Sequence, residues 1–122
     1  GFIYGLANLL ISGLLIHPGS IFFDYLIPFT LLGIAGLFAK KAQSGNILVT
    51  ILGVLLGGFL RYLSHGFSGV LFFSMYAPEN MNPWFYSFIA YNLPYMLIST
   101  ALALIIILVI RKRLIITDTR IV

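Results

Sequence analysis

The sequence predicts an all-α fold, a polytopic transmembrane helix bundle, on three observations. Hydrophobic residues make up 61% of the 122 residues and charged residues only 8%, far from the near-half apolar and quarter charged mixture of a water-soluble domain. The apolar residues fall into four stretches divided by short polar punctuation, the pattern of consecutive membrane spans. The basic residues gather at the ends of those stretches, as the Lys/Arg flanks of spans do. A soluble chain this short could not enclose so much apolar surface, because small domains have too much surface for their volume.

The same composition excludes several function classes. With no cysteine, two histidines and three carboxylates, disulfides and thiolate metal sites are ruled out and little is left for any other metal. No cofactor is expected. The net charge of +4 is confined to Lys40, Lys41, Arg111, Lys112 and Arg113 at span ends and to a few isolated positions; it makes no phosphate-tracking stripe, so the expected partner is the lipid bilayer and not nucleic acid. No phosphate-binding loop is present, and any ATP-driven work must come from a partner.

The whole chain, 1–122, reads as one transmembrane domain. The first span covers about residues 1–16 and stops at His17-Pro18-Gly19-Ser20, where proline and glycine favour a turn. It opens on Gly1 inside an apolar run, without methionine, charged n-region or cleavage pattern, and is read as N-terminally truncated. The second, about 21–39, stops at Lys40-Lys41-Ala42-Gln43-Ser44-Gly45. The third, about 46–76, is longer than a bilayer is thick at about 1.5 Å per residue, so its outer end is expected to break or to protrude, with Gly66 and Gly69 as the places. Within it, Gly53-Val54-Leu55-Leu56-Gly57 reads as a close helix-packing face. The fourth, about 84–110, follows a polar segment ending in Asn82-Pro83; Pro94 is read as a kink and 117–122 as a polar tail. The positive-inside rule puts the Lys40-Lys41 loop and the Arg111-Lys112-Arg113 end in the cytoplasm, and both loops lacking Lys and Arg outside, with Trp84, Phe85 and Tyr86 at the interfacial aromatic belt.

Depth then singles out a group of polar residues. Arg61 lies fifteen positions after Asn46, a rise of about 22 Å that leaves it roughly 8 Å below the outer boundary of a 30 Å core. His65 is one turn further out. Asp24, three residues into the second span, lies about 5 Å from the same boundary. Tyr86, Tyr91, Asn92 and Tyr95 enter the fourth span from that side. Arg61 and His65 share a helix face at i,i+4 spacing, as do Tyr91 and Tyr95. Three helices thus aim polar groups at one outward-opening place.

Bland readings stand beside this one. Arg61 could snorkel, with Asp24 as its structural counter-ion; Tyr86 could be a belt residue; Asn92 could be interhelical glue. Gly66-Phe67-Ser68-Gly69 matches the GxSG around the nucleophile of rhomboid-type intramembrane serine proteases. That enzyme needs a histidine base on a second helix, whereas His65 is three residues from Ser68 and His17 lies in a loop, so Ser68 is expected to be an ordinary small packing residue and the chain not an enzyme.

The residues also carry a family resemblance. Asp24-Tyr25-Leu26-Ile27-Pro28 with Leu32-Gly33-Ile34-Ala35-Gly36-Leu37-Phe38, then Leu60-Arg61-Tyr62-Leu63-Ser64-His65 through Gly69 and Phe73-Ser74-Met75-Tyr76-Ala77, then Asn82-Pro83-Trp84 with Tyr86-Ser87 and Tyr91-Asn92-Leu93-Pro94-Tyr95-Met96, resemble in order and spacing the thiamin-specific S components of energy-coupling factor (ECF) transporters. The resemblance implies a six-helix fold of which about four helices are present here. It also implies thiamin as ligand and, as partners, an ECF transmembrane subunit and two ATPase subunits. By it Asp24 is the acidic thiamin contact, Arg61 a basic pocket position and His65 a ring contact, with Tyr86 and Asn92 on the other wall. Two departures stand out: the acidic position is usually glutamate, and Tyr86 to Asn92 is one residue longer than the family pattern. The Asp at position 24 leaves room for a different vitamin on the same scaffold, and a purely structural membrane subunit is the remaining alternative.

The chemistry is compatible on its own terms. Thiamin is a cation with two aromatic rings, suited to a carboxylate, hydrogen-bonding side chains and tyrosine faces, with cation–π contact adding about 1–2 kcal/mol when desolvated. Arg61 would oppose such a cation, so its expected role is to orient Asp24 or to donate to a ring nitrogen.

Overall fold

The computed structural model describes residues 1–12 and 17–119, with the side chains of 12 and 114–119 left aside. Among the described residues the secondary structure is helical throughout: α1 (Phe2–Ser12), α2 (Ile21–Gln43), α3 (Ile47–Phe72) and α4 (Pro83–Arg113, its backbone helical on to Thr119). The last three are long and apolar enough to cross a membrane, and α1 is shorter. The sequence-predicted all-α membrane bundle is therefore the observed architecture.

Its inside and outside are the reverse of a soluble protein's. Among the described residues the buried polar side chains are Ser20, Ser64, Ser68, Ser87 and Asn92, and the buried large apolar ones are Phe29 and Met96. Leu37 is 82% and Ile11 86% exposed. Such a surface is stable only against lipid, where helices associate through small residues and interhelical hydrogen bonds instead of a hydrophobic core.

α3 is the central helix, and its glycines explain why. Gly53 and Gly57 face α2 at Ala35, Phe38 and Leu32, with contacts of 3.2–3.6 Å to a Cβ built on them, so the expected Gly53-xxx-Gly57 packing face is the α2–α3 seam. Gly58 meets Thr100, Gly66 the ring of Phe88 and Gly69 the hydroxyl of Ser87, all on α4. Of the two expected alternatives, a break at Gly66 or Gly69 does not occur: the two glycines are places of close approach and the helix runs on through both. It ends after Phe72, where Phe73 takes φ −124°, ψ 12° and a 3₁₀ turn (Ser74–Tyr76) follows.

The helix ends follow local chemistry. Asn46 caps α3 by accepting from Val49 N at 3.3 Å, and Asn82 caps α4 by accepting from Trp84 N at 2.8 Å, with Pro83 at the first turn. Gly45 turns the chain between α2 and α3 with φ +91°, open only to glycine at little cost. The polar segment 40–43, expected as loop, instead continues α2, since Lys and Gln are good helix formers and cations suit a helix C-terminus. The expected tail from 117 is likewise helical as far as Thr119, and 120–122 lie outside the described residues. The end of the first predicted span, 13–16, also lies outside them.

Two wide turns shape the upper end of the bundle. α2 is π-helical over Ile21–Leu26 and α4 over Tyr86–Asn92. In each case a proline stands two residues beyond, Pro28 and Pro94. A proline ring collides with the carbonyl four residues back in an α-helix, here that of Asp24 or Ala90, and has no N–H to give it. Widening the turn to i→i+5 bonding moves that carbonyl away. The kink read from Pro94 thus takes the form of a π segment, and Pro28 has one too.

Candidate functional site

Both π segments face the same cavity. It measures about 840 Å³, within the roughly 300–1,000 Å³ of small-molecule sites. It sits at the end of the bundle opposite Lys40, Lys41 and Arg111. α2 contributes Asp24, Tyr25 and Phe29; α3 contributes Arg61, His65 and Gly69; α4 contributes Tyr86, Ser87, Tyr91, Asn92 and Tyr95. Asn8 of α1 and Phe73 and Tyr76 beyond α3 complete the wall. All five residues singled out from sequence, Asp24, Arg61, His65, Tyr86 and Asn92, therefore line one cavity.

The charged groups form a chain across α2 and α3. His65 Nδ1 lies 3.1 Å from Asp24 Oδ1, and Arg61 Nε donates to His65 Nε2 at 3.4 Å. A guanidinium can only donate, so Nε2 accepts, and Nδ1 carries the proton given to Asp24. The imidazole thus bridges a carboxylate and a guanidinium, the i,i+4 spacing of Arg61 and His65 placing both on one side of α3. Among the described residues Asp24 makes no direct ion pair with Arg61, which removes the simple counter-ion reading. Arg61 instead donates through Nη2 to Tyr95 Oη at 3.2 Å and rests over the Phe29 ring, 5.0 Å from its centroid, and the Tyr95 ring at 5.9 Å.

Ser68 corrects an expectation. Its Oγ donates to Asp24 Oδ2 at 2.7 Å, and the residue is 1% exposed; it is a partner of the carboxylate and not plain packing. The protease reading pairs the serine with a histidine base on a second helix; here Ser68 Oγ donates to Asp24 Oδ2, and His65, on the same helix as Ser68, meets Asp24 Oδ1 from Nδ1. Sequence reasoning could have found this contact, since Ser68 follows His65 by three positions and shares its face.

On the α4 side, Asn92 does two jobs. Its Nδ2 donates to the Ser87 carbonyl at 2.9 Å and to the His65 carbonyl at 3.4 Å, and Ser87 Oγ donates to the Gly66 carbonyl at 2.7 Å. Asn92 is thus interhelical glue and part of the cavity wall. Tyr86 lines the cavity, whereas its neighbours Trp84 and Phe85 remain half exposed at the belt. The π segment carries both Tyr86 and Asn92, at its two ends, and both are on the wall. Behind it, Phe88 stacks on Trp84 and receives the Tyr62 hydroxyl at its carbonyl, 3.0 Å away.

Taken together, the cavity offers a carboxylate held at both oxygens, an imidazole, several phenol rings and one internally engaged cation. No cluster of histidine and carboxylate ligands suited to a metal occurs among the described residues. The arrangement suits a flat, polar, aromatic ligand with a positive charge.

Comparison with known proteins points the same way. The family described as thiamine transporter protein (Thia_YuaJ) matches residues 1–117. The chain is 33% identical over 115 residues to the thiamine transporter ThiT of Bacillus subtilis (strain 168), and 34% identical over 119 residues to that of Lacticaseibacillus paracasei. These alignments take in 87% and 88% of this chain, which spans 59% of the length of either relative. No solved structure matches.

Proposed function

The chain belongs to the thiamine transporter protein family, and on that premise we propose that it captures thiamin in the cavity between α2, α3 and α4 as the substrate-binding subunit of an ATP-driven uptake system. The observation that carries the reading is the Asp24 carboxylate, fixed by His65 and Ser68 at the wall of a cavity rich in tyrosine. In a low-dielectric pocket a carboxylate and aromatic faces favour a cation bearing two aromatic rings. Arg61 also lines the cavity, but its Nε and Nη2 are engaged by His65 and Tyr95 and it rests over the Phe29 ring, so these donors are taken within the protein.

Asp24, His65, Tyr86 and Asn92 are assigned to ligand contact, and Arg61 to holding His65 and Tyr95 in place. The subunit does no chemistry of its own. Energy comes from an ECF transmembrane subunit and two ATPases, with this chain supplying capture and specificity. The cavity faces outward, on the side opposite the basic ends.

Equilibrium titration of the purified, intact gene product in nanodiscs with thiamin, riboflavin and biotin tests the ligand. Saturable binding of thiamin alone is expected. Binding of another vitamin in its place would keep the capture role with a changed ligand, and binding of none would reject it.

A further inference from the structure

Two serines of α3, one helical turn apart, hold successive residues of α2. Ser64 Oγ donates to the backbone carbonyl of Phe23 at 2.7 Å. Ser68 Oγ donates to the carboxylate of the next residue, Asp24, at the same distance. Both serines are buried, at 5% and 1% exposure. Phe23 and Asp24 lie in the π segment of α2, a wide i→i+5 turn of the kind frequent at functional sites. Ser64 thus fixes the main chain beneath Asp24 and Ser68 fixes the side chain above it.

The carboxylate has two torsions to settle. With His65 on Oδ1 and Ser68 on Oδ2, donors from one helix take one lone pair on each oxygen and set the plane of the group, leaving its remaining lone pairs for the cavity. Both bonds go to an ionised acceptor and belong to the stronger, charge-assisted kind. Ser68 itself is not part of the cavity wall, so whatever it does for a ligand it does through Asp24. A side chain present only to fill space would need no oxygen there.

We propose that Ser68 is a positioning residue for ligand capture, aiming the Asp24 carboxylate into the cavity while Ser64 anchors the backbone below it. The inference rests on the reading of Asp24 as a ligand contact. A double-mutant cycle of thiamin affinity on the intact gene product tests it, because a residue acting through Asp24 loses its effect when Asp24 is gone. Ser68→Ala is expected to weaken thiamin binding about five- to tenfold in the wild-type background and less than about twofold in the Asp24→Ala background. Ser68→Thr, which keeps the hydroxyl, is expected to recover most of the loss.

Equal losses in the two backgrounds, or no loss in either, would overturn the proposal. Melting without ligand checks that each variant folds. Should Ser68→Ala not fold, Ser68→Cys, a near-isostere with a weak donor, takes its place in the cycle under the same criteria. Wild-type protein that binds no thiamin defeats the capture reading and this one with it, whereas wild-type binding with an additive cycle defeats the positioning role alone.

Discussion

Arg61 and Asp24 sit on neighbouring helices and are joined through His65, which receives the guanidinium at Nε2 over 3.4 Å and meets the carboxylate from Nδ1 over 3.1 Å. The order of the three groups sets an order of effects. His65→Ala removes both a partner of the carboxylate and a ring from the cavity, and should weaken thiamin binding more than tenfold, a charge-assisted contact contributing about 1.5–3 kcal/mol. Arg61→Met acts one residue further away and should cost less. Titration of the two variants decides; a larger loss from Arg61→Met would restore the view of Arg61 as the direct partner of Asp24 or of the ligand.

The prolines offer a second test. Pro94→Ala removes the collision with the Ala90 carbonyl and lets the turn before it close to α pitch. Side chains from Tyr86 to Asn92 would then rotate relative to the wall they now form. Thiamin affinity should fall about fivefold, equivalent to roughly 1 kcal/mol, without loss of melting temperature. Unchanged affinity would mean that the π segment is set by packing on α3 and not by the proline.

How much of this was legible in the sequence varies with the physics. Asp24, Arg61, His65 and Asn92 were conspicuous because polar groups are rare inside apolar spans, and counting the rise per residue put them in the same, outer half of the spans. Ser68 gave one signal, the helix face it shares with His65, but a serine in a membrane helix reads equally as small packing, and it was read that way. Gly66 and Gly69 were misread for a related reason: glycine permits both a break and a close contact, and only the position of Phe88 and Ser87 on another helix decides between them. Phe29, an apolar residue in an apolar run, carried no signal of its place beneath the Arg61 guanidinium. The π segments were half legible, through Pro28 and Pro94.

Those glycines give a third prediction. A methyl at Gly66 meets the Phe88 ring, while one at Gly36 meets nothing within 4 Å. Gly66→Ala should destabilise the bundle by about 1–3 kcal/mol, the usual cost of overpacking, and lower its melting temperature. Gly36→Ala should leave it unchanged. Equal melting of the two would contradict the packing role of Gly66.

Topology is open to chemical labelling. Lys40 and Lys41 precede Gln43 at one end of the bundle, and Asn80 lies in the loop at the other. By the positive-inside rule a cysteine at Asn80 should react with an impermeant reagent on intact cells, and one at Gln43 should not. The reverse pattern would turn the cavity toward the cytoplasm and defeat capture from outside.

The most direct test is thermal melting of the intact gene product titrated with thiamin. A ligand that binds only the native state raises its stability by mass action, about 2.7 kcal/mol at a hundredfold excess over Kd. The melting temperature should climb with thiamin for the wild type, and Asp24→Asn should need more than about ten times the concentration for the same shift. No shift at thiamin concentrations up to the millimolar range, or an equal shift in Asp24→Asn, would contradict the assignment of this cavity to thiamin through Asp24.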